Sequence, residues 1–221
     1  PGQRVAIVGP TGCGKTTFIN LLMRFYDINS GSIKIDGVDI FDISKEDLRN
    51  LISIVLQDPV LFKDTIENNV RYCKLDATDE EIDAALEFAN CYSFINKLPL
   101  GKQTLLTEGA TNISLGQREL ITIARAVLAN PKILILDDST SAVDTKTDAL
   151  IRKAFKEYIP ETTKIIIAQR ISSIQDADVI YVLDEGEIVD FGKHEKLLET
   201  CEIYREVYES QLKGNDFDEA E

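Results

Sequence analysis

The stretch Gly9-Pro10-Thr11-Gly12-Cys13-Gly14-Lys15-Thr16-Thr17 lies between the apolar run Val5-Ala6-Ile7-Val8 and Phe18-Ile19-Asn20-Leu21-Leu22-Met23, whose apolar residues recur at helical spacing. It fits G-x-x-x-x-G-K-[ST] in the strand–loop–helix setting that the pattern requires. Small residues let consecutive backbone N–H groups curl around phosphate oxygens, and the helix that follows directs its positive end at them. Lys15 adds a point charge, and the Thr16 hydroxyl can ligate Mg²⁺. The stretch therefore reads as a cradle for a nucleoside triphosphate on an α/β fold.

Working outward, an acidic pair closes an apolar strand far downstream. Ile133-Leu134-Ile135-Leu136 is apolar at every position, as a central parallel strand should be, and ends in Asp137-Asp138. Combined with the loop, Asp137 reads as the carboxylate that holds Mg²⁺, directly or through water. Further strands are expected at 51–56, 164–168 and 179–183, with helices at 45–50, 78–89, 115–129 and 145–158. Strands alternating with helices imply a parallel sheet with crossover connections. Ligands then bind at the C-terminal ends of the strands, where Gly9, Gln57, Asp137 and Gln169 fall.

Turn and cap signals divide the rest. Asp36-Gly37 between Ile33-Lys34-Ile35 and Val38-Asp39-Ile40 predicts a β-hairpin, a small antiparallel part beside the parallel sheet. Thr78 with Glu81 three residues on has the form of a capping box. Ser114-Leu115-Gly116-Gln117 opens a helix stopped by Asn130-Pro131. The whole of 1–221 reads as one domain, with 1–58 and 131–221 forming the P-loop core and 59–130 a helical subdomain inserted in it. Residues 194–210 are expected to be helical and 215–221 to be a disordered acidic tail.

Composition narrows the function classes. The net charge of -14 among 221 residues argues against a duplex-binding surface, which would need clustered Lys and Arg. No apolar run approaches the ~20 residues of a membrane span. Cys13, Cys73, Cys91 and Cys201 are scattered without a C-x-x-C pair, and His194 is the only histidine, so neither a disulfide frame nor a histidine-built metal site is expected. Cys13 reads first as a small spacer residue; as a thiol in a loop at a helix N-terminus, it should have a lowered pKa and react with alkylators. The chain starts at Pro1 and its one methionine is Met23, so it reads as a fragment or excised domain.

Over nearly its whole length the chain resembles the nucleotide-binding domain of ABC transporters. Gly9 to Thr17 is similar to Walker A, Gln57 to the Q-loop, Ile113-Ser114-Leu115-Gly116-Gln117 to the signature, Ile133 to Asp138 to Walker B, and Ser141-Ala142-Val143-Asp144 to the D-loop. Gln57-Asp58-Pro59-Val60-Leu61-Phe62 and Thr107-Glu108-Gly109 resemble stretches of the exporter branch that face the transmembrane domains. The resemblance implies a head-to-tail dimer with two ATP molecules between P-loop and signature faces, at the cytoplasmic side of a membrane. It implies ATP and Mg²⁺ as ligands, with Thr16, Gln57 and Asp137 around the metal. Ser114, Gly116 and Gln117 would serve the γ-phosphate held by the other subunit. The partners implied are a second nucleotide-binding domain and transmembrane domains, with no nucleic acid; the family guess is a bacterial multidrug or lipid exporter.

Three positions depart from the family pattern. Asp138 stands where a glutamate positions the attacking water, Gln169 where a histidine contacts the γ-phosphate, and Leu115 where glycine is usual. A shorter carboxylate withdraws by roughly 1.5 Å, and misplacement of ~1 Å can cost ~10²-fold in rate. Gln169 can donate a hydrogen bond but cannot carry a charge or relay a proton. Together Asp138 and Gln169 resemble the slow site of a heterodimeric exporter, with Gln57 as the γ-phosphate sensor. Alternatives are a competent homodimer using Asp138 as a weak base, and a soluble ABC ATPase, although neither a coiled coil nor a basic insertion is present. A GTPase fits less well, since Asn96-Lys97-Leu98-Pro99 lacks the aspartate that reads guanine. The family's adenine-stacking aromatic would lie upstream of Pro1.

Overall fold

Val5, Ala6, Ile7 and Val8 are β-favouring or small, and they form the centre of a parallel sheet in a computed structural model that describes residues 1–137, 142–168 and 171–218. The chain divides into two compact units, 3–52 with 163–221, and 1–2 with 53–162.

In the first of these, β1 (Arg4–Val8) pairs in parallel with β6 (Thr163–Ile167) on one side and β7 (Val179–Asp184) on the other. Its register sets Ala6 against Ile166 and Ile180, and Ile7 against Ile167 and Tyr181. Ala6 and Val8 share one face by the two-residue period of a strand. They join a buried cluster with Ile171, Ile174, Ile180, Val182, Leu197 and Tyr204. The edge is closed by β8 (Glu187–Gly192), antiparallel to β7 through the Glu185-Gly186 turn, whose φ values of 46° and 84° require a residue tolerant of the left-handed region and a glycine. Downstream of β1, α1 (Lys15–Leu22) buries Ile19 and Leu22.

The expected hairpin is present as β2 (Lys34–Ile35) and β3 (Val38–Asp39), with Asp36 and Gly37 at φ 49° and 84° as a two-residue turn of this type needs. Ser44 caps α2 (Lys45–Leu51) by accepting the Asp47 N–H.

The chain's end differs from expectation. Instead of one helix over 194–210 there are two, α8 (His194–Thr200) and α9 (Glu202–Asp218), separated by Cys201 at φ -113°, ψ 110°. The extended residue lets Cys201 enter the same apolar cluster as Leu197 and Tyr204. The acidic segment expected to be disordered from 215 continues α9 to Asp218, because a helix already nucleated gains a hydrogen bond for each residue added. Residues 219–221 lie outside the described residues.

The other unit is largely helical. Strand β4 (Ile52–Val55) lies beside β5 (Ile133–Asp137). Between them in sequence come α3 (Ile66–Arg71), α4 (Asp79–Phe88), α5 (Tyr92–Ile95) and α6 (Leu115–Leu128), and α7 (Thr145–Tyr158) follows β5. The Thr78 capping box forms as predicted. Central to the unit is α6, packed by α3 and α4 and burying eight of its residues, Glu119 among them. On α4, Phe88 meets Phe155 and Tyr158 of α7 at ring-centroid distances of 5.3 and 5.8 Å. The unit takes in β5 and α7 along with the helices of 59–130.

Candidate nucleotide site

The loop after β1 is shaped by what glycine permits. A Cβ on Gly9 would lie 2.0 Å from the Leu183 carbonyl oxygen and 2.7 Å from Cys13 Sγ, so no side chain fits there. Gly12 and Gly14 take φ values of 86° and 107°, left-handed conformations that turn the chain back on itself. The Cys13 N–H donates to the Pro10 carbonyl at 3.2 Å, and the Cys13 carbonyl accepts the Gly186 N–H at 3.0 Å. These bonds fasten the loop to the β7–β8 turn.

At the start of α1 the N-cap is Gly14, with no side-chain cap and no acidic residue in the first turn. Its orphan N–H groups and positive dipole end are therefore left for a ligand. Lys15 curls over the loop and donates through Nζ to the carbonyls of Gly9 (2.7 Å) and Pro10 (2.9 Å), with Cys13 Sγ 3.6 Å away. Thr16 and Thr17 are exposed on the first turn. Cys13, read as a small spacer or as a reactive thiol, is 4% exposed, as a spacer would be. Closure of the ring by Gly9 and Lys15 puts its sulfur inside.

Gln57, Asp137, Ser114, Gly116 and Gln117 lie in the other unit. Gln57 is exposed two residues past β4, and Asp137 is half-buried as the last residue of β5. At the start of α6, Ser114 Oγ accepts the Gln117 N–H at 3.2 Å while Gln117 Oε1 accepts the Ser114 N–H at 3.0 Å. This capping box leaves the Ser114 hydroxyl proton free to donate outward. Leu115 is 39% exposed on the first turn. Gly116 needs to be glycine, since a Cβ there would meet the Ala142 carbonyl oxygen at 2.7 Å. Just ahead, Gly109 sits at φ 68° and its carbonyl accepts a long bond from Arg118 at 3.5 Å. Asp138, Ser141 and Gln169 lie outside the described residues.

Two charged groups of α6, one half-buried and one fully buried, were not singled out from the sequence. Arg125 on α6 donates to the carbonyls of Val60 (2.9 Å) and Asn69 (2.7 Å) and to Asn69 Oδ1 (3.0 Å). Its guanidinium lies 5.5 and 5.9 Å from the ring centroids of Phe62 and Tyr72, and burial lowers its pKa from the ordinary value. Asn69 returns two bonds to Phe62, accepting its N–H at 2.8 Å and donating to its carbonyl at 3.0 Å. The stretch after Gln57 is thus held by Arg125 and Asn69 while Leu56, Val60 and Phe62 stay exposed. Glu119, fully buried on α6, accepts the Ala142 N–H. A charged residue within the apolar run of α6 was the available signal for both.

Among the described residues, no helix is long and apolar enough to cross a membrane.

Comparison with known proteins gives this arrangement its context. The family described as ABC transporter matches residues 1–141. The uncharacterized ABC transporter ATP-binding protein YfiC of Bacillus subtilis is 49% identical over 211 residues, covering 96% of this chain and 35% of that protein. A fatty acid ABC transporter ATP-binding/permease protein of Mycobacterium bovis is 51% identical over 204 residues, 92% of this chain and 32% of its own length. Among solved structures, a bacterial Atm1-family ABC exporter with ATP bound aligns at a TM-score of 0.92 and 43% identity, over 96% of this chain and 37% of that one. The chain spans about a third of the length of these relatives. An open helix start behind a glycine loop, a capped signature helix and these likenesses lead to one conclusion: the chain belongs to the ABC transporter family, as an ATP-binding domain of its exporter branch.

Proposed function

We propose that the domain binds Mg-ATP, dimerises head to tail around it, and drives export of a lipid-like or other amphipathic cargo through transmembrane domains, with slow hydrolysis at its own Walker site. The observation that carries the ATP reading is the start of α1, uncapped by any side chain and free of acidic residues, directly behind a glycine ring crossed by Lys15. A helix end of this kind is an anion site. Lys15 exchanges its bonds to two neutral carbonyls for charge-assisted bonds to phosphate, which are about twice as strong.

The oxygen donors Thr16, Gln57 and Asp137 suit a hard cation, and they are the residues that would hold Mg²⁺, whose charge neutralises the phosphates. Gln57 reports the γ-phosphate to the exposed stretch braced by Arg125. Asp138 orients water poorly because its carboxylate is one methylene short, and Gln169 donates a hydrogen bond without a charge. Ser114 and the Gly116 N–H serve the nucleotide bound by the partner domain, so ATP joins the dimer and its hydrolysis releases it. Two slow features at one site favour a heterodimer whose partner supplies the competent Walker residues. The mycobacterial relative's name, which specifies fatty acids, supports a lipid-like cargo.

Steady-state ATPase with Mg²⁺ beside a titration with a fluorescent ATP analogue tests this reading. Firm binding with turnover near background is expected, and Asp138→Asn should then change turnover little. Turnover of several per second, or its collapse in Asp138→Asn, would instead establish a competent site and a homodimer.

A further inference from the structure

The signature helix and the D-loop are separated in sequence, yet one D-loop residue, Ala142, meets that helix through both of its backbone groups. Gly116 and Glu119 are three residues apart on α6 and therefore share a face. The Ala142 carbonyl oxygen lies 2.7 Å from where a Cβ on Gly116 would stand, with Val143 Cα 3.7 Å from the same point. The Ala142 N–H donates to the Glu119 carboxylate, 3.2 Å from Oε2 and 3.4 Å from Oε1. Glu119 itself is 0% exposed. Burying a carboxylate in the middle of an otherwise apolar helix face is costly unless it is hydrogen-bonded, so its presence calls for a reason beyond packing.

We propose that Glu119 is a positioning residue that fixes the D-loop backbone to the signature helix, so that the two phosphate-facing features of this unit move as one piece. Gly116 makes the close approach possible and Glu119 makes it directional. A contact through packing alone would allow the peptide to slide along the helix; a hydrogen bond to a charged acceptor sets its depth and orientation. One step further along the chain, Val143 is buried and Asp144 caps α7 by accepting the Thr147 N–H, which continues the same fixed segment into a second helix. The functional consequence, that a shift of the signature helix is transmitted to the D-loop at the dimer face, rests on the transporter reading above. The bond itself does not.

Amide hydrogen exchange on the 221-residue chain reads this bond directly, because Ala142 N–H is its donor. Glu119→Leu should speed exchange at Ala142 by about tenfold to a hundredfold, the worth of a bond to a charged group. Glu119→Gln, which keeps a carbonyl oxygen in place, should stay within about threefold of the parent. Gly116→Ala, which drives a methyl into the Ala142 carbonyl while leaving the carboxylate intact, should also raise exchange there. Protection along 118–128 should hold in all three variants, and affinity for a fluorescent ATP analogue should hold in the two Glu119 variants. Exchange at Ala142 unchanged in Glu119→Leu would overturn the proposal. So would an increase spread evenly over α6, or a Gln variant as fast as the Leu one, since each marks Glu119 as general support. Should the parent fail to bind the ATP analogue, the transporter reading falls, and the exchange pattern still decides whether the helix holds the loop.

Discussion

Two helix starts in this molecule are read as phosphate-facing, and they are built in opposite ways. At α1 the cap is a glycine at φ 107° that offers no side-chain acceptor, and among the described residues no side chain caps the first N–H groups. At α6 the cap is a serine in a closed box with Gln117, so two of the N–H groups at this helix end are satisfied by its own side chains. The first design is a site that needs an anion to be complete. The second is a finished surface that can meet one. A domain that binds nucleotide by itself, and then a second domain through that nucleotide, calls for this difference.

The sharpest way to break the comparison is at Lys15. Lys15→Ala should lower ATP affinity by about a hundredfold or more, the worth of its charge-assisted bonds, without lowering the melting temperature; titration with the fluorescent analogue checks it. Next in size is Gly9→Ala, where the new methyl would overlap the Leu183 carbonyl and Cys13 Sγ. Overpacking of this kind costs about 1–3 kcal/mol, measured by urea unfolding, and ATP binding should fall with it because the ring opens. Ser114→Ala sharpens the other side. It should cost about 1 kcal/mol of stability from the lost cap, leave nucleotide affinity of the isolated chain intact, and weaken association with a second domain in Mg-ATP, seen by sedimentation.

The smallest effect concerns a third helix start, α7, whose cap is charged. Thr147, through its side chain and then its N–H, holds the Asp144 carboxyl below its ordinary value. A lowered carboxylate pKa contributes stability that is complete above the unfolded value and lost as pH falls through the folded one. The melting-temperature gap between the parent and Asp144→Asn should therefore stay level from neutral pH down to about 5 and shrink below about 4. A gap that instead widened in acid would show that the charge is not what caps α7.

What was legible in the sequence was local. The glycine ring, the hairpin at Asp36-Gly37, the box at Thr78 and the helix start at Ser114 each depend on residues within a few positions of one another, so their chemistry is printed in order. What escaped were bonds closed by the fold. The Arg125 bonds to Val60 and Asn69, and the Glu119 bond to Ala142, join residues that only tertiary packing brings together. The break at Cys201 was hidden for a related reason: helical spacing on both sides looks continuous until a buried cluster claims the residue between. Asp138, proposed to orient the attacking water, is assigned through the family resemblance by its place after Asp137, and it lies outside the described residues.

The thiol of Cys13 has a use that follows from where it sits. It is 4% exposed, beneath Gly9 and beside the Lys15 ammonium, so a maleimide can reach it only in the fraction of time the ring stands open. When opening is fast relative to labelling, the observed rate is the intrinsic thiol rate scaled by that fraction. The loop thus carries its own clock for breathing, and a nucleotide that braces the ring would slow the clock without ever touching the sulfur.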